Sequence, residues 1–463
     1  MRRFETRLPV VAPRWRVWFV GSGLALLLAL LVAKAAHLQL GLGHELRELA
    51  ERQYVRKLKV SAPRGNIYDR HGRPLAVTVP AWSIAAEPRR IEDPAAAAKV
   101  LAPLLDADVR TLQDKLSSEK SFQWLARRIA PEAAERVRAA NIGGISLREE
   151  ARRYYPNREL AGQLLGLVNL EGDGVDGVEL AFNEHLRGRS TVVPGLRDNR
   201  GRRIVMGGAP DFELLEGDDV HLTLDARLQD VAERALLEAL DTFDAVSAFA
   251  IVLEPDTGAI LAMANVPLFN PNDPGASPKG ARRNHALSDA FEPGSVFKIV
   301  SFASALEQGQ LTAADQIYCE NGRLELGKYV IRDAHPAGWL SAAEVFSHSS
   351  NIGTIKIVQR VGEEHFRTMI SNFGFGQPPG LGLLGETAGR MPDSTRWGEV
   401  RTATVSYGHG LMASALQVAM MVAAVANDGV LVEPRLLGHI ASPTGQIVRR
   451  GQSRGRERAV SSG

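Results

Sequence analysis

The pattern of apolar and polar positions begins with one long apolar block. Residues 17–33, VWFVGSGLALLLALLVA, contain no charged side chain, and a helix of that length crosses about 25 Å of hydrocarbon at 1.5 Å per residue. Five arginines and one glutamate lie in residues 1–16. Because positive flanks stay on the cytoplasmic side of a bilayer, the pattern predicts a cytoplasmic tail over 1–16 and a transmembrane helix over 17–40. The chain is thus predicted to cross the inner (plasma) membrane once, with its bulk in the periplasm.

Two other interpretations of the apolar block stay open. Ala33-Lys34-Ala35 has the small-x-small form of a signal-peptidase site, so a cleaved signal peptide is one alternative. A buried helix of a soluble domain is the other. The length of the block and the charge of Lys34 favour an anchor over cleavage, and Trp15 and Trp18 beside the arginines favour a membrane interface over a protein core.

The next part of the chain has an irregular pattern. Residues 44–60 are rich in charge and predict a helical stalk that ends at 63–65, Pro-Arg-Gly. From Arg64 to about Glu216, short strand patterns alternate with Pro/Gly turns, and one helical pattern covers 131–140. The region 41–216 is therefore predicted to be one irregular α+β module, which we call the pedestal.

A more regular pattern follows over 217–463. A strand pattern comes first, and the apolar positions between Leu228 and Leu240 then have helical spacing. Two apolar runs, 249–253 and 259–264, are joined by a loop that contains glycine and predict a β-hairpin. The whole chain is thus predicted to be a membrane-anchored multidomain α+β protein.

Composition excludes several classes of protein. The net charge is +2, with 23% charged and 45% hydrophobic residues, which is ordinary for globular domains and unlike a nucleic-acid binder or a disordered acidic chain. Cys319 is the only cysteine, so an intrachain disulfide and a zinc site built from cysteine pairs are excluded. The eleven histidines form no His-x-x-x-His motif. The sequence predicts no cofactor, no metal and no nucleic-acid partner.

The most informative segment for chemistry is FEPGSVFKIVSFASALEQG, residues 291–309. It predicts a turn followed by a helix that is apolar on nearly every face and is therefore buried. Ser295 lies at the amino-terminal end of this helix, and Lys298 lies one turn later. Burial disfavours an ammonium ion, so Lys298 is a candidate general base for the Ser295 hydroxyl, and the helix amino terminus would stabilise an oxyanion.

The pattern Ser-x-x-Lys also arises by chance. Ser117 and Lys120 have the same spacing, but they lie in a charged stretch that would leave the lysine solvated. A second motif, Ser349-Ser350-Asn351, follows a helix that a capping box at 341–344 opens. The Ser349 hydroxyl is a candidate proton relay, and the Asn351 amide could bind a peptide carbonyl or steady Lys298. A simple helix cap is the alternative role for this motif.

Together these motifs resemble those of the penicillin-binding proteins. The likeness extends through most of the chain and includes APRGNIYDRHGRPLA, VDGVELAFNEHLRG, LEPDTGAILAMAN, RNHALSDAFEPGSVFK and YGHGLMASALQVAMMVAAVANDG. Within that family the chain is similar to the class B, monofunctional members, and YGHGL favours the division type over the elongation type. The resemblance implies a pedestal over 41–216 and a transpeptidase domain over 217–463, in which helices flank a central antiparallel sheet.

The resemblance also implies an activity and roles for residues. Ser295 would attack the D-Ala-D-Ala end of a peptidoglycan stem peptide, and penicillins and other β-lactams would acylate the same serine. Lys298 would be the general base, Ser349 the proton relay and Asn351 the substrate-positioning residue. The expected partners are peptidoglycan, the membrane and a polytopic septal glycan polymerase with other division proteins. Matching pedestal positions are expected to be structural; they are Arg64, Gly65, Asp69, Arg70 and Glu179.

One family motif is missing. No Lys-Thr-Gly occurs, and no lysine follows Lys356. The nearest imitation, Arg401-Thr402-Ala403, precedes the Tyr407-Gly408 segment and is not expected to replace it. The sequence is therefore expected to be truncated before that motif, incomplete in its C-terminal strands and inactive as given. A non-catalytic division scaffold and a β-lactam sensor or hydrolase are the alternatives.

Overall fold

The structure is a computed structural model that describes residues 14–41, 55–197, 203–205, 215–393 and 397–461. Its strands are β1 (Val55–Ser61), β2 (Ile67–Tyr68), β3 (Pro74–Ala86), β4 (Gln123–Ile129), β5 (Ile145–Tyr154), β6 (Ser190–Arg197), β7 (Arg203–Val205), β8 (Asp219–Leu222), β9 (Ala248–Leu253), β10 (Ile260–Val266), β11 (Gln316–Tyr318), β12 (Arg323–Leu326), β13 (Tyr329–Arg332), β14 (Trp339–Ser341), β15 (Val430–Val432), β16 (Leu437–Ala441), β17 (Ile447–Arg450) and β18 (Gly455–Arg458).

The α-helices are α1 (Arg14–Ala36), α2 (Pro94–Leu105), α3 (Val109–Leu116), α4 (Pro131–Ala139), α5 (Gly162–Leu165), α6 (Gly177–Ala181), α7 (Asn183–Leu186), α8 (Ala226–Thr242), α9 (His285–Ser288), α10 (Lys298–Glu307), α11 (Ala342–Ser347), α12 (Asn351–Val361), α13 (Glu363–Asn372), α14 (Gly398–Ser406) and α15 (Ala415–Ala426). The described residues form two compact units, one drawn from 1–61 and 190–212 and the other from 62–189 and 213–463.

The first unit contains the apolar helix and a small sheet. Helix α1 begins at Arg14, before the predicted start at residue 17, and a π-helical turn continues it to Gly41. Residues 14–40 are long and apolar enough to cross a membrane by length and composition. The tail prediction for 1–16 lies outside the described residues except at 14–16.

The predicted helical stalk over 44–60 is wrong at its carboxyl end. Strand β1 occupies Val55–Ser61 and pairs antiparallel with β6 over its whole length, from Val55 with Leu196 to Ser61 with Ser190. A ladder with a partner far along the chain has overridden the local helical preference. The rest of that prediction, over 44–54, lies outside the described residues.

The second unit is organised around a seven-stranded sheet. Its main order is β17-β16-β8-β2-β3-β4, and β5 pairs with the other edge of β3. The sheet is mixed because β2, a pedestal strand, runs parallel to β8. Its strands within 217–463, β8, β16 and β17, pair antiparallel, as expected. The predicted hairpin is confirmed, since β9 and β10 pair antiparallel around the loop at 254–259.

One large apolar core includes Phe297, Val300 and Phe302 of the segment that follows Ser295. It joins side chains from 67–186 with side chains from the rest of the second unit. Helix α8 packs against β10, and α15 packs against β9. The other edge of β9 has no partner strand in the part of the chain that the structure describes. The predicted loss of C-terminal strands and the boundary at 216/217 stay predictions.

Candidate active site

The Ser295 segment is a tight turn that runs into a buried helix. Residues 294–297 form a 3₁₀ turn, and α10 follows without a break. Ser295 is exposed, whereas Phe297, Lys298 and Val300 are buried in the core. The Ser295 hydroxyl has no hydrogen-bond partner among the described residues. It is therefore accessible to a ligand at the amino-terminal end of the helix, where the sequence placed it.

Lys298 carries an ammonium group into this core. The residue is only 2% exposed, and burial lowers the pKa of its amine to about 8, while the nearby Asp333 carboxylate acts in the opposite direction. At neutral pH a useful fraction of such an amine is uncharged and can accept a proton. The sequence predicted this desolvation from the apolar helix.

The structure brings Lys298 and Ser349 together. The Lys298 Nζ donates to the Ser349 carbonyl oxygen at 2.5 Å and to the Ser349 Oγ at 2.8 Å. Ser349 is exposed and has a left-handed backbone conformation with φ +56°. Such a conformation is unusual for a residue other than glycine, and it persists only where the surrounding structure holds it.

The surrounding structure that holds Ser349 includes Asp333, a residue that sequence reasoning missed. Its Oδ1 accepts the amide hydrogens of Asn351 at 2.6 Å and Ile352 at 3.1 Å, and its Oδ2 accepts the Ser350 hydroxyl at 2.5 Å. The same Ser350 hydroxyl caps α12 through the Gly353 amide at 2.9 Å. One carboxylate thus fixes the loop that presents Ser349 to Lys298.

Asn351 lies at this loop but forms no hydrogen bond with the lysine. It is the first residue of α12, and its side-chain amide donates to the Arg332 carbonyl oxygen at 3.4 Å. Both hydrogen bonds of the Lys298 ammonium go to Ser349 instead. The suggested helix-cap role applies to the middle residue, Ser350.

The Tyr407-Gly408-His409-Gly410 segment packs directly on the Ser295 turn. The Gly294 amide donates to the Gly408 carbonyl oxygen at 3.1 Å, and a Cβ on Gly408 would lie 2.1 Å from the Gly294 carbonyl oxygen, so only glycine fits. Glu292, also missed by sequence reasoning, accepts the Gly410 amide at 2.8 Å and contacts the His409 ring at 2.9 Å. These contacts set the position of the turn.

The second Ser-x-x-Lys pair and the Arg401-Thr402-Ala403 segment both lie in environments unlike those that their motifs require. Ser117 ends α3, and Lys120 is exposed in the turn that follows, so nothing desolvates this second Ser-x-x-Lys pair. Residues 401–403 lie inside helix α14 and not on a strand. Within the described ranges, no cluster of three or more His, Cys, Asp or Glu side chains could hold a metal ion.

The matching pedestal positions have contacts inside the fold. Glu179 is fully buried and accepts from Arg64 Nε at 2.7 Å and from Arg153 Nε at 2.6 Å. Asp69 is also fully buried and accepts the Ala226 amide at 3.2 Å. A Cβ on Gly65 would lie 2.0 Å from the Asp218 carbonyl oxygen. The Asp69 and Gly65 contacts join the pedestal to the region 217–463, whereas the Glu179 contacts lie within the pedestal.

Two family descriptions match the chain. The penicillin binding protein transpeptidase domain matches residues 248–462, and the penicillin-binding protein dimerisation domain matches residues 59–222. The first match includes the Ser295 turn, Lys298 and the Ser349 loop. The second includes the buried cluster around Glu179.

Named relatives cover most of the chain. A probable peptidoglycan D,D-transpeptidase PenA of Neisseria meningitidis is 33% identical over 94% of this chain and 75% of the relative. The peptidoglycan D,D-transpeptidase FtsI of Escherichia coli is 33% identical over 90% of this chain and 71% of the relative. A crystal structure of penicillin binding protein 3 from Mycobacterium tuberculosis with aztreonam superposes with a TM-score of 0.64 at 28% identity, over 88% of this chain and 73% of that one.

Proposed function

Because the chain belongs to the class B penicillin-binding proteins and is a peptidoglycan D,D-transpeptidase by family, we propose that Ser295 is its nucleophile and Lys298 its general base. Peptidoglycan is the substrate of this family, and β-lactams bind to its members. The observation that carries the residue assignment is the buried amine of Lys298, with a pKa of about 8, bonded to Ser349.

The proposed reaction has two acyl transfers. The neutral Lys298 amine takes the proton from Ser295, and the Ser295 oxygen forms a bond to the carbonyl carbon of the penultimate D-Ala. The bond to the terminal D-Ala breaks, and the leaving amine takes a proton from Lys298 through the Ser349 hydroxyl. The amine of a neighbouring stem peptide then attacks the ester carbonyl carbon, the bond to the Ser295 oxygen breaks, and Lys298 passes the surplus proton of that amine to the Ser295 oxygen. The helix amino terminus stabilises the oxyanion, and Asn351 positions the substrate.

Labelling with a fluorescent penicillin tests the nucleophile. One acyl transfer is enough for an adduct, so labelling does not require turnover. We expect Ser295→Ala to abolish the adduct and Ser117→Ala, in the second Ser-x-x-Lys pair, to keep it. An adduct that survives Ser295→Ala would rule out the assignment.

We extend the proposal to the motif that the sequence lacks. The polypeptide of 463 residues holds no Lys-Thr-Gly, the family motif that would supply cationic and hydroxyl groups for the substrate carboxylate. We propose that this polypeptide by itself does not complete transpeptidation. Release of D-Ala from a peptide ending in D-Ala-D-Ala measures this directly, and sustained release would contradict it.

A septal role is the finer part of the proposal. YGHGL at 407–411 supports the division type, and the arginine-rich flank of the apolar helix supports a cytoplasmic amino terminus in the inner membrane. The pedestal (41–216), the membrane helix (17–40) and the transpeptidase domain (217–463) would then act beside a polytopic septal glycan polymerase. A fluorescent fusion should concentrate at the septum, and uniform labelling of the lateral wall would contradict this role.

The same experiment distinguishes an enzyme from a scaffold. If the chain works by catalysis, the Ser295→Ala fusion should reach the septum but fail to replace the wild-type gene. If that variant replaces the gene fully, the chain acts as a non-catalytic scaffold.

A further inference from the structure

A half-buried tyrosine and an exposed tryptophan lie side by side on the two-stranded sheet β11–β14. Tyr318 and Trp339 are direct partners in the antiparallel register, with ring centroids 5.2 Å apart and ring planes at 42°. Their neighbours Ile317 and Leu340 are buried, so strand alternation directs the two rings away from the core. Trp339 keeps 67% of its surface exposed. We call Tyr318 and Trp339 the aromatic platform.

The charged groups beside the platform are already paired. The Lys356 ammonium lies 5.2 Å over the Tyr318 ring and forms an ion pair with Glu320. The Asn321 amide donates to the Tyr318 hydroxyl at 3.0 Å. Because the charges of Lys356 and Glu320 compensate each other, they offer little attraction to a charged ligand. An uncharged ligand with hydroxyl or amide groups would meet suitable donors and acceptors at the ring edges.

The rings themselves favour a flat face of C–H groups. An aromatic face is electronegative and attracts weakly positive hydrogens, as one face of a pyranose ring presents them. The indole N–H of Trp339 has no hydrogen-bond partner in the described part of the chain, and it can donate to a sugar hydroxyl or acetamido oxygen. Both features match an N-acetylhexosamine.

The position of the platform relative to the candidate active site is set by one continuous segment. Strand β14 ends at Ser341, which caps α11, and the chain leaves α11 just before Ser349. Helix α11 covers six residues, Ala342–Ser347, and is about 9 Å long. A stem peptide of about four residues spans roughly 14 Å when extended. An extended stem peptide is therefore longer than the helix that separates β14 from the Ser349 loop.

We propose that Tyr318 and Trp339 bind N-acetylhexosamine units of the glycan strand whose stem peptide enters the Ser295 site. The inference deepens the proposed function and rests on it for the identity of the strand. The sugar stacks on the indole of Trp339, Tyr318 fixes the tilt of that indole, and the stem peptide extends along α11 towards Ser349.

A titration of the full chain in detergent micelles tests the platform. The probe is the β-1,4-linked tetramer of N-acetylglucosamine, and the readout is the heat of binding. We expect saturable binding to the wild-type chain and binding roughly tenfold weaker in Trp339→Ala, because one stacked ring is lost. Trp339→Phe, which keeps a ring but no N–H, should bind with intermediate affinity. Absence of saturable wild-type binding, or equal affinity in Trp339→Ala, overturns the proposal.

Three controls keep the result specific. Phe243→Ala removes another exposed ring, far along the chain at the end of α8, and should bind the sugar as the wild type does. A stem peptide without sugar should bind with the same affinity to Trp339→Ala and to the wild type, and a loss in the variant overturns the assignment to sugar. Ser295→Ala should bind the sugar normally, so failure of the nucleophile assignment and failure of the platform give different results.

Discussion

Two regions of the second unit bury charge in opposite ways. In the pedestal, each Glu179 oxygen accepts from one guanidinium, Arg64 at 2.7 Å and Arg153 at 2.6 Å, and the Tyr155 hydroxyl adds a third bond at 3.2 Å. At the candidate active site, the Lys298 ammonium has a carbonyl and a hydroxyl as partners and no carboxylate. The Asp333 carboxylate raises the pKa of Lys298 through its charge, but its hydrogen bonds come from Ser350, Asn351 and Ile352.

The difference separates a structural ion cluster from a reactive amine. Glu179 has opposite charges and hydrogen bonds that compensate its burial, so the pedestal cluster is suited to holding elements together. Lys298 has hydrogen bonds but no directly paired charge, so its burial is relieved by losing a proton. The free-energy cost of burying a charge is therefore offset by ion pairs in the pedestal cluster, and it makes the Lys298 amine easier to deprotonate at the candidate active site.

Removing the amine should have the largest effect on chemistry. Lys298→Gln keeps a polar side chain of similar length but cannot accept the Ser295 proton. We expect the rate of fluorescent-penicillin adduct formation to fall by about 10²–10⁴-fold, the usual contribution of a general base. The measurement is a time course of adduct formation. Lys120→Gln is the matched control and should label at the wild-type rate; equal rates in both variants would remove Lys298 from the mechanism.

Breaking the pedestal cluster should act on stability instead. Glu179→Ala leaves Arg64 and Arg153 buried without their carboxylate. We expect the free energy of unfolding to fall by about 3–5 kcal/mol. The measurement is a denaturant titration that follows unfolding of the second unit by tryptophan fluorescence. Glu135→Ala breaks an exposed ion pair with Arg138 and should have little effect. If the folded Glu179→Ala protein also lost penicillin labelling at low temperature, the two regions would not be separable.

Asp333 holds the loop that presents Ser349 to Lys298. Asp333→Asn replaces two acceptor oxygens by one acceptor and one donor, so either the Ser350 hydroxyl or the amides of α12 lose their partner. We expect adduct formation to slow by about 10–100-fold because Ser349 is less well held. The Lys298 pKa should also fall, because the Asp333 charge raises it. Asp108→Asn, at the cap of α3, is the control and should change neither quantity.

The parts of the site that depend on local pattern could be predicted from the sequence. The apolar helix after Ser295 follows from spacing along a few turns, and the capping box of Ser341 and Glu344 is present in both directions. The exposure of Lys120 follows from its charged neighbours. Each of these predictions needs only residues within one or two elements.

The parts that depend on distant contacts could not be predicted. Asp333 acts on a helix that begins 18 residues later (333 to 351), and no spacing rule connects a residue after a hairpin to that helix. Glu292 meets Gly410 across 118 residues. Strand β1 resembles a charged helix until its partner β6 is known, and the parallel pairing of β2 with β8 depends on how the two modules meet.

The smallest predicted effect is a pH profile, and it bears most directly on the difference between the two regions. With a Lys298 pKa of about 8, about one tenth of the amines are neutral at pH 7 and most are neutral above pH 9, so the initial rate of adduct formation should rise roughly tenfold between these values.

The free energy of unfolding should also depend on the protonation of Lys298. The pKa of Lys298 in the folded chain lies below the unfolded value of 10.5, so the unfolded chain binds more protons between about pH 8 and 10.5. The free energy of unfolding should therefore increase as pH rises through that window.

Two variants test the rate profile further. Glu179→Ala should keep its midpoint, whereas Asp333→Asn should move the midpoint to lower pH. A rate that stays flat from pH 6 to 9 would mean that the amine is neutral throughout or is not the base, and a midpoint that moves with Glu179 would mean that the paired cluster and the reactive amine are one electrostatic system.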